Sequence, residues 1–117
     1  MKYMLLLYAN ESAGPRTPEE YQATAHAWYA FGEEAQAAGV LLSNNGLCPV
    51  AEATTVRVQD GKRSITAGPF SETHEQLGGY YLLDCKDLDE AIRWAEKIPA
   101  ASYGSIEIRP LNQWSQK

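Results

Sequence analysis

Ala67-Gly68-Pro69-Phe70-Ser71-Glu72-Thr73-His74-Glu75-Gln76-Leu77-Gly78-Gly79-Tyr80-Tyr81 is a connector with more specialised chemistry than a hairpin turn or a helix cap needs. Pro69 restricts Gly68 and sets a turn, and the ring of Phe70 can be buried as the anchor of the loop. Glu72 and Glu75 flank His74, and Gly78-Gly79 lets the backbone approach another surface closely as an apolar strand begins. The elements on either side of this segment decide the fold.

Downstream, residues 79–85 read as a buried strand. Asp87-Leu88-Asp89-Glu90 then has the form of a capping box, opening a helix with Leu88, Ala91, Ile92 and Ala95 on one face. Pro99 lies beyond the end of that helix, and Ser105-Ile106-Glu107-Ile108-Arg109 alternates as a last strand stopped by Pro110.

Upstream, Thr54-Thr55-Val56-Arg57-Val58-Gln59 and residues 62–67 flank Asp60-Gly61, the preferred pair for a type I′ turn, and so form a hairpin. Val40-Leu41-Leu42 opens another strand, which Asn44-Asn45-Gly46 interrupts and residues 47–50 resume beyond a bulge. Thr17-Pro18-Glu19-Glu20 starts a long helix with a cap, a first-turn proline and a capping-box glutamate; Gly39 stops it. Tyr21, Ala25, Trp28, Gly32 and Ala35 define its apolar face, flanked by Phe31 and Ala38. Residues 2–8 form a short, continuously apolar first strand.

With the hairpin set aside, the order is strand, helix, strand, strand, helix, strand. That is the split β-α-β pattern of a ferredoxin-like α+β sandwich in one domain spanning residues 1–117. Both helices then cover one face of an antiparallel sheet. The opposite face, expected to draw on Tyr3, Leu5, Leu7, Tyr81 and Leu83, is too apolar to leave wet, which predicts a homodimer. Trp114 is expected to anchor the tail by packing.

Composition narrows the function. The chain of 117 residues has a net charge of −5 and no cluster of Lys and Arg, so it lacks the basic footprint that nucleic acid binding requires. No apolar run has the length of a membrane span, and the first strand is too short for a signal-peptide core; a cytoplasmic protein is expected. Cys48 and Cys85 are isolated, lack a CxxC spacing, and read as free thiols. No redox or phosphate-binding motif calls for a cofactor, and two distant histidines do not form a metal site.

Polar chemistry is carried by few residues. His26, on a helix flank, and His74, beside Glu72 and Glu75, are the candidate acid–base residues, since imidazole transfers protons near neutrality. Tyr8, Phe70, Glu72, Glu75, Tyr81 and Arg109 are the candidate ligand-binding residues of a pocket between the sheet and the 67–81 loop. Arg109 can pair with an anion or with Glu72 or Glu75 across the sheet.

The 67–81 block resembles the YCII-related domain family, in its Asp-Gly-Pro-Phe branch. Lys2-Tyr3-Met4-Leu5-Leu6, Ala53-Thr54-Thr55-Val56-Arg57, Asp87-Leu88-Asp89-Glu90-Ala91 and Glu107-Ile108-Arg109-Pro110 extend the resemblance over nearly the whole chain. It implies a dimeric ferredoxin-like α/β-barrel. Some members of the wider family act on lactones or chlorinated aromatics through a His-Asp pair, and others occur in genetic association with sigma factors. Here Ala67 replaces the leading Asp of the motif, and Trp28 and Ala37 stand where the resemblance places the His and the Asp. Two functions follow as expectations. One is a small-ligand site with isomerase- or lyase-like acid–base chemistry. The other is a non-catalytic accessory or regulatory dimer in a sigma-factor or stress circuit.

Overall fold

The computed structural model of the protein describes residues 1–112 and 114. In chain order the main elements are β1 (Lys2–Ala9), α1 (Pro18–Ala37), β2 (Leu41–Gly46), β3 (Thr54–Gln59), β4 (Lys62–Ala67), β5 (Gln76–Asp84), α2 (Leu88–Glu96) and β6 (Ser105–Pro110). The main sheet has the order β2-β5-β1-β6 with every pairing antiparallel, and β3-β4 forms a separate two-stranded ribbon. Both helices lie on one face of the main sheet. This is the ferredoxin-like α+β arrangement read from the sequence.

The helix starts behave as their chemistry requires. The Thr17 hydroxyl accepts from the Glu20 amide at 3.1 Å, and the Glu20 carboxylate accepts from the Thr17 amide at 3.1 Å, closing the capping box. A further amide, that of Arg16, donates to Glu20, and these backbone donors hold its carboxyl below the usual carboxylate range. Gly39 (φ 77°) takes the left-handed conformation that ends α1. Asp87 caps α2 as expected, whereas the Glu90 carboxylate reaches back one residue further, to the Lys86 amide.

Alternation in β1 buries Tyr3, Leu5 and Leu7 and leaves Met4, Leu6 and Tyr8 partly exposed. Tyr81 and Leu83 of β5 join the buried set, with Phe31 and Ala35 of α1, Ala91 and Ala95 of α2, and Ile98 beyond it. Phe31 fits its edge against Tyr81 (ring centroids 4.9 Å, interplanar angle 71°) and against Trp94 (6.0 Å, 83°), while Trp28 stacks on Tyr81 at 6.3 Å. Each fully buried Leu or Ile contributes about 1.5–3 kcal/mol relative to its exposed state.

The structure corrects several expectations. Tyr3, Leu5, Leu7, Tyr81 and Leu83 face the helices; the open face carries Met4, Leu6, Tyr8, Tyr80 and Leu82 instead. A strand buries only one of its two side-chain sets, and the helices took the set containing Tyr81. The buried stripe of α1 is turned accordingly to Thr24, Trp28, Phe31 and Ala35, leaving Tyr21 exposed. Leu88 and Ile92 of α2 are also exposed. β2 runs through Asn44-Asn45-Gly46 rather than stopping there, with its irregularity earlier, between Leu41 and Ser43. Gly78-Gly79 lies inside β5, at a bulge opposite Leu7 and Tyr8, not at the strand start. A Cβ on Gly79 would stand 2.8 Å from the Asn45 carbonyl oxygen, which explains the glycine there. Trp114 is exposed rather than packed.

The β3–β4 hairpin turns at Asp60 (φ 52°) and Gly61 (φ 75°), the type I′ geometry. Every residue of its two strands except Thr55 is exposed. It projects from the body as an arm. The molecule is accordingly a slab of 48 × 44 × 18 Å with a radius of gyration of 16.3 Å, against about 13 Å for a compact chain of this length.

Cys48 is exposed and Cys85 is buried at the end of β5. Burial pushes the Cys85 thiol up, and the nearby Glu90 and Asp84 carboxylates add to the rise. A raised thiol pKa leaves less thiolate at pH 8, and the side chain is enclosed. Mass-spectrometric timing of iodoacetamide labelling at pH 8 should therefore show Cys48 reacting at least about tenfold faster than Cys85. Equal rates would show that the end of β5 opens freely.

Candidate functional site

The 67–81 loop closes one end of the open sheet face. Its entry is held by the Gly68 amide donating to the Ala53 carbonyl at 2.7 Å and the Thr55 hydroxyl donating to the Gly68 carbonyl at 2.8 Å. Gly68 has φ 99°, a conformation other residues rarely adopt, so the glycine of the Gly-Pro pair turns the chain out of the arm. Its exit is held by Gln76. The side-chain oxygen accepts from the Glu11 amide at 2.9 Å, and the side-chain nitrogen donates to the Thr73 carbonyl at 2.6 Å.

Beneath the loop lies a cleft of about 610 Å³, a size suited to a small organic ligand. Tyr8 and Leu77 form its floor at the end of the sheet, Val50 and Pro69 are on its walls, and Phe70 is at its rim. Three carboxylates line it: Glu11, Glu72 and Glu75. Glu11 accepts from the Val50 amide at 3.0 Å, and Glu75 accepts from the Ser105 hydroxyl at 2.8 Å. The Glu72 carboxylate has no hydrogen-bond or ion-pair partner among the described residues. Among the described residues no Lys, Arg or His lines the cleft. Its field therefore opposes an organic anion and suits a neutral or cationic molecule with an apolar body.

Of the residues singled out from sequence, Tyr8, Phe70, Glu72 and Glu75 come together at this cleft. Phe70 is 76% exposed, so its ring is not a buried loop anchor but a face presented to whatever lies outside. Tyr81 belongs to the helix-side core, where burial raises its phenol pKa. Arg109 is exposed on β6 opposite Met4 and forms no ion pair with Glu72 or Glu75. His26 is exposed on α1 and His74 is exposed in the loop; neither lines a described cavity. Sequence reasoning missed Glu11, Val50 and Gln76. Asn10 and Glu11 carry no local signal of a site; the Asn10 side chain accepts from the Ser12 amide at 2.9 Å, and the Glu11 carboxylate accepts from the distant Val50 amide.

A second cavity, of about 240 Å³, opens on the other side of β1 between Leu7, Trp28, Ala100 and Tyr103. Trp28, at the place where the resemblance puts a catalytic His, contributes an indole wall with no acid or base. On the open face the Asn45 side-chain amide donates to the Tyr80 hydroxyl at 3.0 Å. That bond, aided by Ser43, favours the phenolate and draws the Tyr80 pKa below its ordinary value. Among the described residues no group of three or more His, Cys, Asp or Glu could hold a metal ion, and no helix is long and apolar enough to cross a membrane.

Comparison with known proteins agrees with the fold. The chain is 39% identical over 114 residues to an uncharacterised protein of Rhizobium meliloti (strain 1021), covering 95% of this chain and 92% of that one. Among solved structures it resembles the 5-chloro-2-hydroxyhydroquinone dehydrochlorinase TftG of Burkholderia phenoliruptrix in complex with 2,5-dihydroxybenzoquinone. The TM-score is 0.51 at 14% identity, over 96% of this chain and 94% of that one. At that identity the likeness speaks for the fold alone. The model of the YCII-related domain matches residues 1–115, and the chain belongs to that family.

Proposed function

We propose that the protein is a homodimeric small-molecule-binding domain, joined through the open sheet face, with its ligand in the cleft under the 67–81 loop. The cleft carries the reading. It has the volume of a ligand site, an aromatic and aliphatic floor and three carboxylates from two segments of the chain, two of them fixed by hydrogen bonds. The dimer is supported by Met4, Leu6, Tyr80 and Leu82, which together form an apolar face that no helix covers. Free thiols and an acidic surface suit a reducing cytoplasm.

The ligand is neutral or cationic, a quinone-like, lactone-like or amine-bearing molecule rather than a carboxylic acid. Acid–base chemistry falls to Glu72, the one cleft carboxylate without a fixed partner among the described residues, with His74 two residues along the loop. That both histidines are exposed favours a second reading, in which the dimer binds without catalysis and serves as an accessory or regulatory domain.

A thermal-shift panel pairing amines, neutral quinones and lactones with matched carboxylic acids tests the site. A ligand at about a hundred times its dissociation constant adds roughly 2.7 kcal/mol, and only the neutral and cationic sets are expected to do so. Glu72→Gln should weaken the cationic set selectively. If only the acids stabilise the protein, the site lies elsewhere.

A further inference from the structure

The β3–β4 arm is amphipathic, and the described residues leave its apolar face exposed. Val56 faces Ile65 across the ribbon and Val58 faces Arg63; the three apolar side chains are 58%, 57% and 68% exposed. Thr55, Arg57 and Gln59 occupy the opposite face with Ser64 and Lys62. An isolated two-stranded hairpin is marginal in water, and an apolar edge ribbon held out in solvent invites pairing. This ribbon is nevertheless shaped by a type I′ turn and tied at its root to Gly68.

Charge indicates what covers it. Residues 54–67 hold Arg57, Lys62 and Arg63 against Asp60, a surplus of two positive charges in a chain whose net charge is −5. Lys62 and Arg63 pair with no carboxylate among the described residues. The loop beside the cleft presents Glu72 without a cation, and Glu75 with only a hydroxyl. The apolar face of the arm thus carries Arg63, with Lys62 next to it on the other face, and the loop beside the cleft is acidic and apolar, so the two are complementary in charge. Within one chain the arm meets its own loop through Arg57, which donates to the Phe70 carbonyl at 3.5 Å, and no ion pair joins Lys62 or Arg63 to Glu72 or Glu75.

We infer that the arms are exchanged between two copies of this chain. Each lays Val56, Val58 and Ile65 on the partner molecule and sets Arg63, which shares their face, against that molecule's 72–75 carboxylates, with Lys62 adding positive charge from the ribbon's other face, forming the outer wall of the cleft. This rests on the dimer proposed above and extends it: the ligand site is incomplete in one chain. Exchange is two-fold symmetric, so every arm finds a receptor and the assembly closes.

Charge reversal tests it. Sedimentation equilibrium at low salt is expected to show a wild-type dimer, and K62E/R63E and E72K/E75K variants each dissociating at least about tenfold more readily. Mixed, those two variants should pair with each other in preference to themselves, because the heterodimer restores both contacts. In the unaltered protein, amides of residues 56–65 should gain hydrogen-exchange protection as concentration rises through the dimer transition. A wild-type monomer at all concentrations overturns both the dimer and the exchange. A dimer that persists in both variants, with arm amides unprotected, overturns the exchange alone and leaves the sheet-face dimer standing; the arm would then serve a different protein.

Discussion

Gly104→Ala is expected to remove roughly 3 kcal/mol of stability or more, at the upper end of what overpacking costs. An added Cβ would stand 2.1 Å from the Tyr8 carbonyl oxygen, 3.0 Å from the Ala9 Cβ and 3.1 Å from the Ala9 Cα. None of these atoms is the end of a flexible side chain. Tyr8 pairs with Ser105 at the end of the β1–β6 ladder, and the Gly104 amide is held by the Ala100 carbonyl at 2.7 Å. Relief therefore means prising β6 from the sheet or unwinding the turn before it. Against a total of about 5–15 kcal/mol this should lower Tm by roughly 10 °C or more. Gly32→Ala is the matched control: nothing lies within 4 Å of its added Cβ, so it should leave stability unchanged or raise it by about 0.5–1 kcal/mol. Calorimetry giving the two variants the same Tm would show that the 103–105 turn yields at little cost.

Phe31→Ala should cost about 3–5 kcal/mol, as truncation of a buried aromatic does. Phe31 is 3% exposed and its ring meets Tyr81 and Trp94 edge to face, so it joins α1 to both the sheet and α2. The cavity cannot be filled from β1, since Leu5 and Leu7 are already committed to the same layer. Urea unfolding followed by tryptophan fluorescence should give a lower midpoint with an unchanged slope. A loss below about 1 kcal/mol would mean that the two helices close over the gap.

The fold was legible because its elements carry local signals. The Thr17 box, the Asp60-Gly61 turn and the alternation in β6 each declare their structure within a few residues. Which face of β1 is buried was not legible. Tyr3, Leu5 and Leu7 are about as apolar as Met4, Leu6 and Tyr8, and the choice is made by Phe31 and Trp28 arriving from another element. The candidate site was half legible. Phe70, Glu72 and Glu75 sit in one unusual segment, so sequence could group them with Tyr8. Glu11 and Gln76 reach the site through side-chain-to-backbone bonds across 39 and 65 residues respectively, and no local pattern announces those. His26 and His74 drew notice for their chemistry alone, whereas their placement depends on the helix turn and loop path.

The strand order has a consequence for how the chain is made. β1 leaves the ribosome well before both of its neighbours, residues 76–84 and 105–110. Until the last strand is synthesised, the central strand has at most one of its two partners, and only the arm can pair locally. The cost of closing such long loops precedes any reward from the sheet, so folding should be slow for a domain of this size. A nascent chain halted before β6 would display one edge of β1, a row of unpaired backbone groups beside Leu5 and Leu7, and would be a ready client for a chaperone.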